Sequence, residues 1–337
     1  MIPTPELNLA AATPLLLISV AALLVLLGEI LLAGRKTFLG RQVTREWLGS
    51  MLSIVSAVFL GAVVVLSCQN FIVGSSVVFN PENPLIQLDR FANFSIALVC
   101  GAALLSCLLS VAYLAELRIN HGEYYALILL ATAGMVLLVS AVDLISVFLG
   151  IELMSIPIYV LAGFDRRKLR SNESALKYFL VGSFASALLL YGMALLFGAT
   201  GHTDFAGIRA GFEVGDPLAM IGLGLVIVGF TFKISSVPFH QWTPDVYEGA
   251  PTSVTAFMSV TVKVAAFAAM ARIVISAFDP AAESLSEMLW VLAALTMVLG
   301  NVMAVIQDNV KRMLAYSSIA HAGYLLIGFV AATEQAY

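Results

Sequence analysis

Charge is the first thing this sequence lacks. Of its 337 residues only 11% are charged and 61% are hydrophobic, and the mean hydropathy is +0.98. A soluble globular domain carries roughly a quarter charged residues. Runs such as Met51–Leu66 hold no charge at all, so water cannot be the main solvent of this chain. A basic excess is also missing. The formal net charge is −4, which argues against nucleic acid as a partner, since that would need a basic face. Cysteine is scarce: Cys68, Cys100 and Cys107 have no metal-ligand spacing. Cys100 and Cys107 fall on one apolar helix and read as buried packing thiols. No iron–sulfur, haem or zinc pattern occurs, and no Gly-rich nucleotide loop. The opening stretch Met1–Pro14 contains neither Lys nor Arg. A cleaved signal peptide needs a basic leading segment, so the first apolar run is expected to stay as a membrane helix.

What is present is a series of apolar stretches. A membrane-spanning helix needs about 17–25 such residues, and ten stretches qualify. They are Pro14–Ala33, Trp47–Cys68, Phe91–Ala115, Tyr124–Ala141, Leu144–Gly163, Ser174–Ala199, Leu218–Tyr247, Thr252–Phe278, Met288–Ile306 and Met313–Ala332. The expected fold class is therefore all-α and polytopic. The fourth and fifth spans have almost no linker and should form a tight antiparallel hairpin. Basic residues set the orientation. With the N-terminus outside, the inner loops hold Arg35, Lys36, Arg41, Arg45, Arg118, Arg166, Arg167, Lys168, Arg170, Lys311 and Arg312. The outer side holds only Arg90, Arg209 and Arg272. The longest outer loop, Gln69–Arg90, carries the turn cluster Asn80–Pro84 and reads as a surface cap. No linker or low-complexity tract marks a soluble domain.

A charge at mid-bilayer costs about 2.5–3.5 kcal/mol on insertion scales, which makes intramembrane ionisable residues functional candidates. Glu152 falls near the middle of the fifth span, Lys177 one turn into the sixth, Lys233 inside the seventh and Lys263 centrally in the eighth. Glu29, His240 and His321 add to the set. Lys177 and Glu29 are near enough to helix ends to snorkel to the interface. His321 alone is equally readable as a polar contact between helices. Glu152, Lys233 and Lys263 are too deep for that, and their bland alternative is a structural ion pair. The deep basic residues are all Lys, which can release a proton where Arg cannot. The segment Phe232–Pro251, FKISSVPFHQWTPDVYEGAP, places Lys233 just before Pro238. Pro238 lacks an N–H and interrupts the helix, and Ser235 and Ser236 can bond the freed carbonyls. Broken helices at membrane depth occur where backbone is buried in protein or lines a wet cavity. The seventh span is thus expected to be discontinuous.

Four motifs carry a family resemblance: GIELMSIPIYVLAG at Gly150–Gly163, ESALKYFLVGSFASALLLYG at Glu173–Gly192, the stretch Phe232–Phe267, and NVKRMLAYSSIAHAGYLLIGF at Asn309–Phe329. With them the chain resembles the subunit N family of bacterial respiratory complex I, the proton-pumping NADH:quinone oxidoreductase. The stretch DVYEGAPT at Asp245–Thr252 favours that family over its sister subunits and over the multisubunit cation/proton antiporters. The resemblance implies a fourteen-helix fold with two inverted five-helix repeats. It implies three segments here: residues 1–123 with spans one to three, 124–278 as the first repeat, and 279–337 as the start of the second. The chain is expected to be C-terminally shortened, without the later helices.

The resemblance also implies roles. Glu152 is similar to the family's fifth-helix glutamate, Lys233 to its broken-helix lysine and Lys263 to its eighth-helix relay lysine. Lys177 is similar to the extra lysine that pairs with that glutamate, and His240 and His321 to histidines near the path. The implied function is proton translocation coupled to electron transfer from NADH to quinone. The chain itself would bind no cofactor; NADH, FMN, iron–sulfur clusters and quinone would belong to partner subunits, and its own partners would be other membrane-arm subunits, antiporter-like and small, and the lipid bilayer. The implied location is the bacterial inner membrane, with a periplasmic N-terminus. The competing reading is a subunit of a multisubunit Na⁺/H⁺ antiporter without redox chemistry.

Overall fold

A computed structural model describes residues 7–331 apart from 34–36, 39–40 and 43. Arg35 and Lys36 of the expected inner loop lie outside the described residues, as does the tail beyond 331. Among the described residues, ten helices are long and apolar enough to cross a membrane. This is the expected number. They are α1 (Thr13–Leu32), α2 (Arg45–Val73), α3 (Arg90–Glu116), α4 (Gly122–Ser140), α5 (Leu144–Ala162), α6 (Leu169–Thr200), α8 (Pro217–Ile234), the eighth span, α12 (Ala282–Val305) and α13 (Val310–Ala331). The eighth span runs as α10 (Thr252–Phe257), a π turn at Met258–Val262, and α11 (Lys263–Ser276). Two short helices, α7 (Phe205–Gly211) and α9 (Trp242–Gly249), lie between spans.

Sequence explains where these helices start and stop. Asp143 accepts hydrogen bonds from the N–H groups of Ile145 (2.7 Å) and Ser146 (3.4 Å), capping α5. Asp216 caps α8 through Leu218 N–H at 2.9 Å. Such caps satisfy donors that no helix can satisfy for itself. Gly74 and Gly201 end α2 and α6 at φ 72° and 73°, the left-handed conformation that favours glycine. The segment after α2 forms a small antiparallel pair, Val77–Val78 with Gln87–Leu88. It presents the Asn80–Pro84 turn, as expected of a cap.

The helix α4 is the hub. It packs against α1, α2, α3, α5 and α11 and is buried along most of its length. Its hairpin with α5 brings two backbones together at glycines. A Cβ on Gly150 would meet Leu138 Cα at 2.8 Å, and one on Gly134 would meet Leu153 C at 2.6 Å. Small residues permit such approach where no water-driven force holds helices together. The outer helices expose Leu, Ile, Val and Phe freely, as with Ile30, Val58, Leu109, Phe184 and Val302. On a soluble protein this would be a large sticky surface; in hydrocarbon it is the matched one. Cys100 and Cys107 are buried as expected, and Cys68 is exposed.

One ion pair fastens the outer end. Arg272 of α11 donates to both carboxylate oxygens of Asp89, at 2.9 and 2.7 Å, and to Val139 O at the end of α4 at 3.2 Å. Arg272 is 7% exposed and Asp89 28%. Sequence reading counted Arg272 only as an outer loop charge; it is a buried clamp. Burial alone would raise the Asp89 carboxyl. The hydrogen bonds and charge of Arg272, with the Ala92 N–H, outweigh burial and hold it below the ordinary carboxylate value. A lowered folded value means that this contribution is present above the unfolded value and lost as pH falls through the folded one. Arg272→Ala is expected to cost about 3–5 kcal/mol by leaving Asp89 uncompensated. Thermal unfolding in detergent should show a lower midpoint and a weaker acid dependence below about pH 4.

Candidate functional site

The break after α8 forms from the residues that predicted it, though by a different bond pattern. Ser235 sits in the left-handed region at φ 63°. The N–H groups of Ser235 and Ser236 donate to Phe232 O (3.1 Å) and Thr231 O (2.9 Å), closing the helix. The serine side chains were expected to satisfy the freed carbonyls; the backbone does most of that. Ser236 Oγ instead meets Thr296 Oγ1 of α12 at 2.8 Å, and the same threonine accepts from Val237 N–H at 3.0 Å. Pro238 follows, and the chain runs irregularly to Trp242, where α9 begins. Ser235, Ser236 and Val237 at the break are buried against protein, as hydrocarbon demands, while Pro238 and Gln241 are exposed. Ser235 Oγ and His240 Nδ1 are buried without a hydrogen-bond partner among the described residues.

Lys233 ends α8 at 3% exposure. Its Nζ donates to Ser155 Oγ of α5 at 2.6 Å. Aromatic faces complete its surroundings: Tyr159, Phe232 and Tyr178 have ring centroids 5.6, 5.5 and 6.0 Å from Nζ. Ser155 follows Glu152 by three positions, so the two share a helix face. Glu152 Oε1 is buried with no hydrogen bond, as is Tyr159 Oη. No ion pair between Glu152 and Lys233 forms within 4.0 Å among the described residues. A structural ion pair would put the carboxylate on the ammonium. Here a hydroxyl takes the proton donor and the nearby carboxylate oxygen is free.

Lys263 opens α11 directly after the π turn, a distortion common at functional sites. Its Nζ donates to Ser318 O (2.6 Å) and Ser318 Oγ (2.7 Å) of α13. It lines a cavity of about 950 Å³ between α3, the eighth span and α13. His321 lines the same cavity. Its Nδ1 lies 2.7 Å from Ser317 O, one turn back on its own helix. The contact is thus within a helix and not between helices.

Lys177 departs from expectation. Its Nζ pairs with Asp245 of α9, not with Glu152. Helix register explains this. Ser171 Oγ bonds Ala162 O at 2.8 Å, and the Tyr159 and Tyr178 rings meet edge-on at 4.8 Å. Lys177 is therefore level with the last turns of α5, and Glu152 lies about 12 Å deeper along the helix. Asp245 also accepts from Arg312 Nη1 at 2.6 Å. Arg312 bridges to Glu248 at 3.1 Å, and Glu248 to Arg170 at 3.1 Å. Five charges so join α6, α9 and α13 around a polar cavity of about 250 Å³. Sequence reading missed Asp245, Glu248 and Arg312 as partners, although the first two sit in the DVYEGAPT motif. It also missed Ser155, which its spacing from Glu152 could have revealed. Thr296 and Ser318 carried no local signal.

A family model described as the NADH:quinone oxidoreductase/Mrp antiporter membrane domain matches residues 141–337. This chain belongs to that family. NADH-quinone oxidoreductase subunit N of Trichlorobacter lovleyi is 45% identical to this antiporter-family chain over 331 residues, covering 97% of the chain and 64% of the relative. Among solved structures, respiratory complex I from Thermus thermophilus with bound aureothin contains a chain matching at TM-score 0.74 and 34% identity, over 94% of this chain and 64% of that one. The Mrp complex from Dietzia sp. DQ12-45-1b contains one matching at TM-score 0.77 and 25% identity, over 96% and 59%. This chain thus spans less than two thirds of the length of these relatives. The ten spans of this chain match the antiporter-like subunit fold over 94% of its length.

The charge network gives a test of its own. Asp245→Asn leaves Lys177 and Arg312 facing a neutral amide. Because these groups are about a third exposed, the expected loss is moderate, about 1–3 kcal/mol. A midpoint in detergent unchanged from wild type would show that the network does not fasten α9.

Proposed function

We propose that this chain is a proton-translocating membrane subunit of an NADH:quinone oxidoreductase, of the subunit N type. The observation that carries the reading is the buried Lys233 ammonium held by one serine hydroxyl beside the unpartnered carboxylate oxygen of Glu152. Buried polar atoms left without partners are rare in native proteins and need an explanation. A path along which protons hop between Glu, Lys, His and hydroxyl groups supplies one. In this reading Lys233 takes and releases a proton between Glu152 and Lys263, with Ser235, Ser236 and His240 bordering the route at the Pro238 break. His321 extends it beside Lys263. Lys177, tied to Asp245, sets the charge at one end of the bundle.

Residues 124–278 would form the first five-helix repeat, 1–123 its supporting helices, and 279–337 the start of a second, inverted repeat. Electron transfer would take place in partner subunits, which would hold FMN, iron–sulfur clusters, NADH and quinone. The chain would sit in a bacterial inner membrane, its N-terminus periplasmic, on the strength of the basic-loop asymmetry. The Mrp likeness favours one second reading, a subunit of a multisubunit Na⁺/H⁺ antiporter. The higher identity to the subunit N relatives weighs for the first.

Two experiments test this. Proton uptake into inverted vesicles carrying the full-length subunit is expected to fall on the order of tenfold or more in Lys233→Ala and Glu152→Gln. Glu152→Asp should keep part of the activity. Assembly is checked separately by blue-native gel. Normal uptake by both Lys233→Ala and Glu152→Gln would reduce the pair to a structural role. For orientation, Ser75→Cys and Arg167→Cys are placed in a background free of other cysteines. The first should label with an impermeant thiol reagent from the periplasm and the second should not; the reverse overturns the topology.

A further inference from the structure

A separate cavity of about 620 Å³ opens at the end of the bundle that carries the basic loops, between α1, α4 and the turn from α5 to α6. Its apolar wall includes Ile30 and Val160. Both are exposed on the outer surface, 73% and 48%, so this wall continues into the face that meets hydrocarbon. Its rim carries both signs of charge. Arg45, Arg118 and Arg166 line it together with Glu29, His121 and Glu123, and Arg45 lies close enough to Glu29 to act on its charge. The side chains of Arg118 and Arg166 make no hydrogen bond or ion pair among the described residues. Asp165 also lines the cavity but is already engaged by Arg167 at 2.9 Å and Lys168 at 3.4 Å. That leaves Arg118 and Arg166 free to meet a phosphate.

The acid–histidine corner has its own geometry. One ligand atom from each of Glu29, His121 and Glu123 lies within 4.8 Å of the others. Three acceptors around one ammonium group stand about 4.6 Å apart, which this corner can accommodate. The guanidinium groups nearby disfavour a divalent cation. Glu29 is 7% exposed and is held by the Gly122 N–H at 3.1 Å, so the corner is fixed by backbone and not by a mobile side chain alone.

We propose that this cavity binds one aminophospholipid of the bilayer. Its phosphate would meet Arg118 and Arg166, and its ammonium would meet Glu29, His121 and Glu123. Its acyl chains would run along Ile30 and Val160. A headgroup bearing only negative charge would face Glu29 and Glu123 repulsively. A free phosphoethanolamine would leave the apolar wall without an occupant. Basic pockets at the ends of membrane helices attract the phosphates of nearby lipid headgroups. The site is independent of the proton route.

The full-length chain in its native membrane assembly is stripped of lipid in detergent. It is then exchanged with micelles containing phosphatidylethanolamine, phosphatidylglycerol or phosphatidylcholine, and bound lipid is counted by native mass spectrometry. One phosphatidylethanolamine should be retained in preference to the other two. Phosphatidylcholine, whose quaternary nitrogen has no N–H, should be weaker. Glu123→Gln, a near-isosteric change at an exposed side chain, should weaken phosphatidylethanolamine about tenfold and remove its advantage over phosphatidylcholine. Arg118→Ala with Arg166→Ala should weaken all three lipids. Equal or better retention of phosphatidylglycerol by the wild type would overturn the proposal. So would retention of phosphatidylethanolamine unchanged in both variants.

Discussion

Hydrocarbon offers a backbone N–H or C=O no partner outside the chain, and each one left unsatisfied costs several kcal/mol. Every feature of this fold answers to that constraint. It makes the ten spans helical. It places capping carboxylates at Asp89, Asp143 and Asp216, and it buries Ser235, Ser236 and Val237 of the irregular stretch after Ile234. There Thr296 of α12 accepts the N–H of Val237, and the backbone of Ser235 and Ser236 closes the last turn of α8. A broken helix is tolerable at this depth because another helix of the same chain supplies what water would supply elsewhere.

The same constraint sorts the charges by depth. At the ends of the bundle charges meet opposite charges: Arg272 with Asp89 at one end, and Lys177, Arg312 and Arg170 with Asp245 and Glu248 at the other. These pairs fasten α3 to α11 and α6 to α9 and α13. In the interior the pattern changes. Lys233 and Lys263 bond to serine hydroxyls and a carbonyl, not to carboxylates. The paired ends join helices to one another, and in the middle Lys233 and Lys263 are held without an ion pair among the described residues.

Tight packing and functional slack are also divided along the chain. The α4–α5 hairpin is drawn together at Gly134 and Gly150, which fixes the face that carries Glu152 and Ser155. The eighth span instead departs from regular helix at Met258–Val262, immediately before Lys263. One lysine thus faces a rigid helix and the other follows a wound-out turn. The large cavity at Lys263 lies on this second side.

Much of this was legible in the sequence. Span number, the α4–α5 hairpin, the break near Pro238 and the deep positions of Glu152, Lys233 and Lys263 follow from hydropathy, basic-loop asymmetry and proline chemistry, all local properties of the chain. The pairing of charges was not legible. Lys177 was expected on Glu152 and lies on Asp245, because the register between α5 and α6 sets Glu152 about two turns deeper. Arg272 read as a loop charge and is a buried clamp, because Asp89, far away in sequence, arrives beside it only when α3 and α11 pack. Ser318 and Thr296 gave no signal at all, since an ordinary serine or threonine in an apolar run reads the same whether it faces lipid or a lysine. The solvent and the spans were determined by the sequence alone, because transfer into hydrocarbon depends on each residue's own chemistry. Which charge meets which was decided only by tertiary structure, because Coulomb and hydrogen-bond energies depend on ångström-scale separations that helix packing sets.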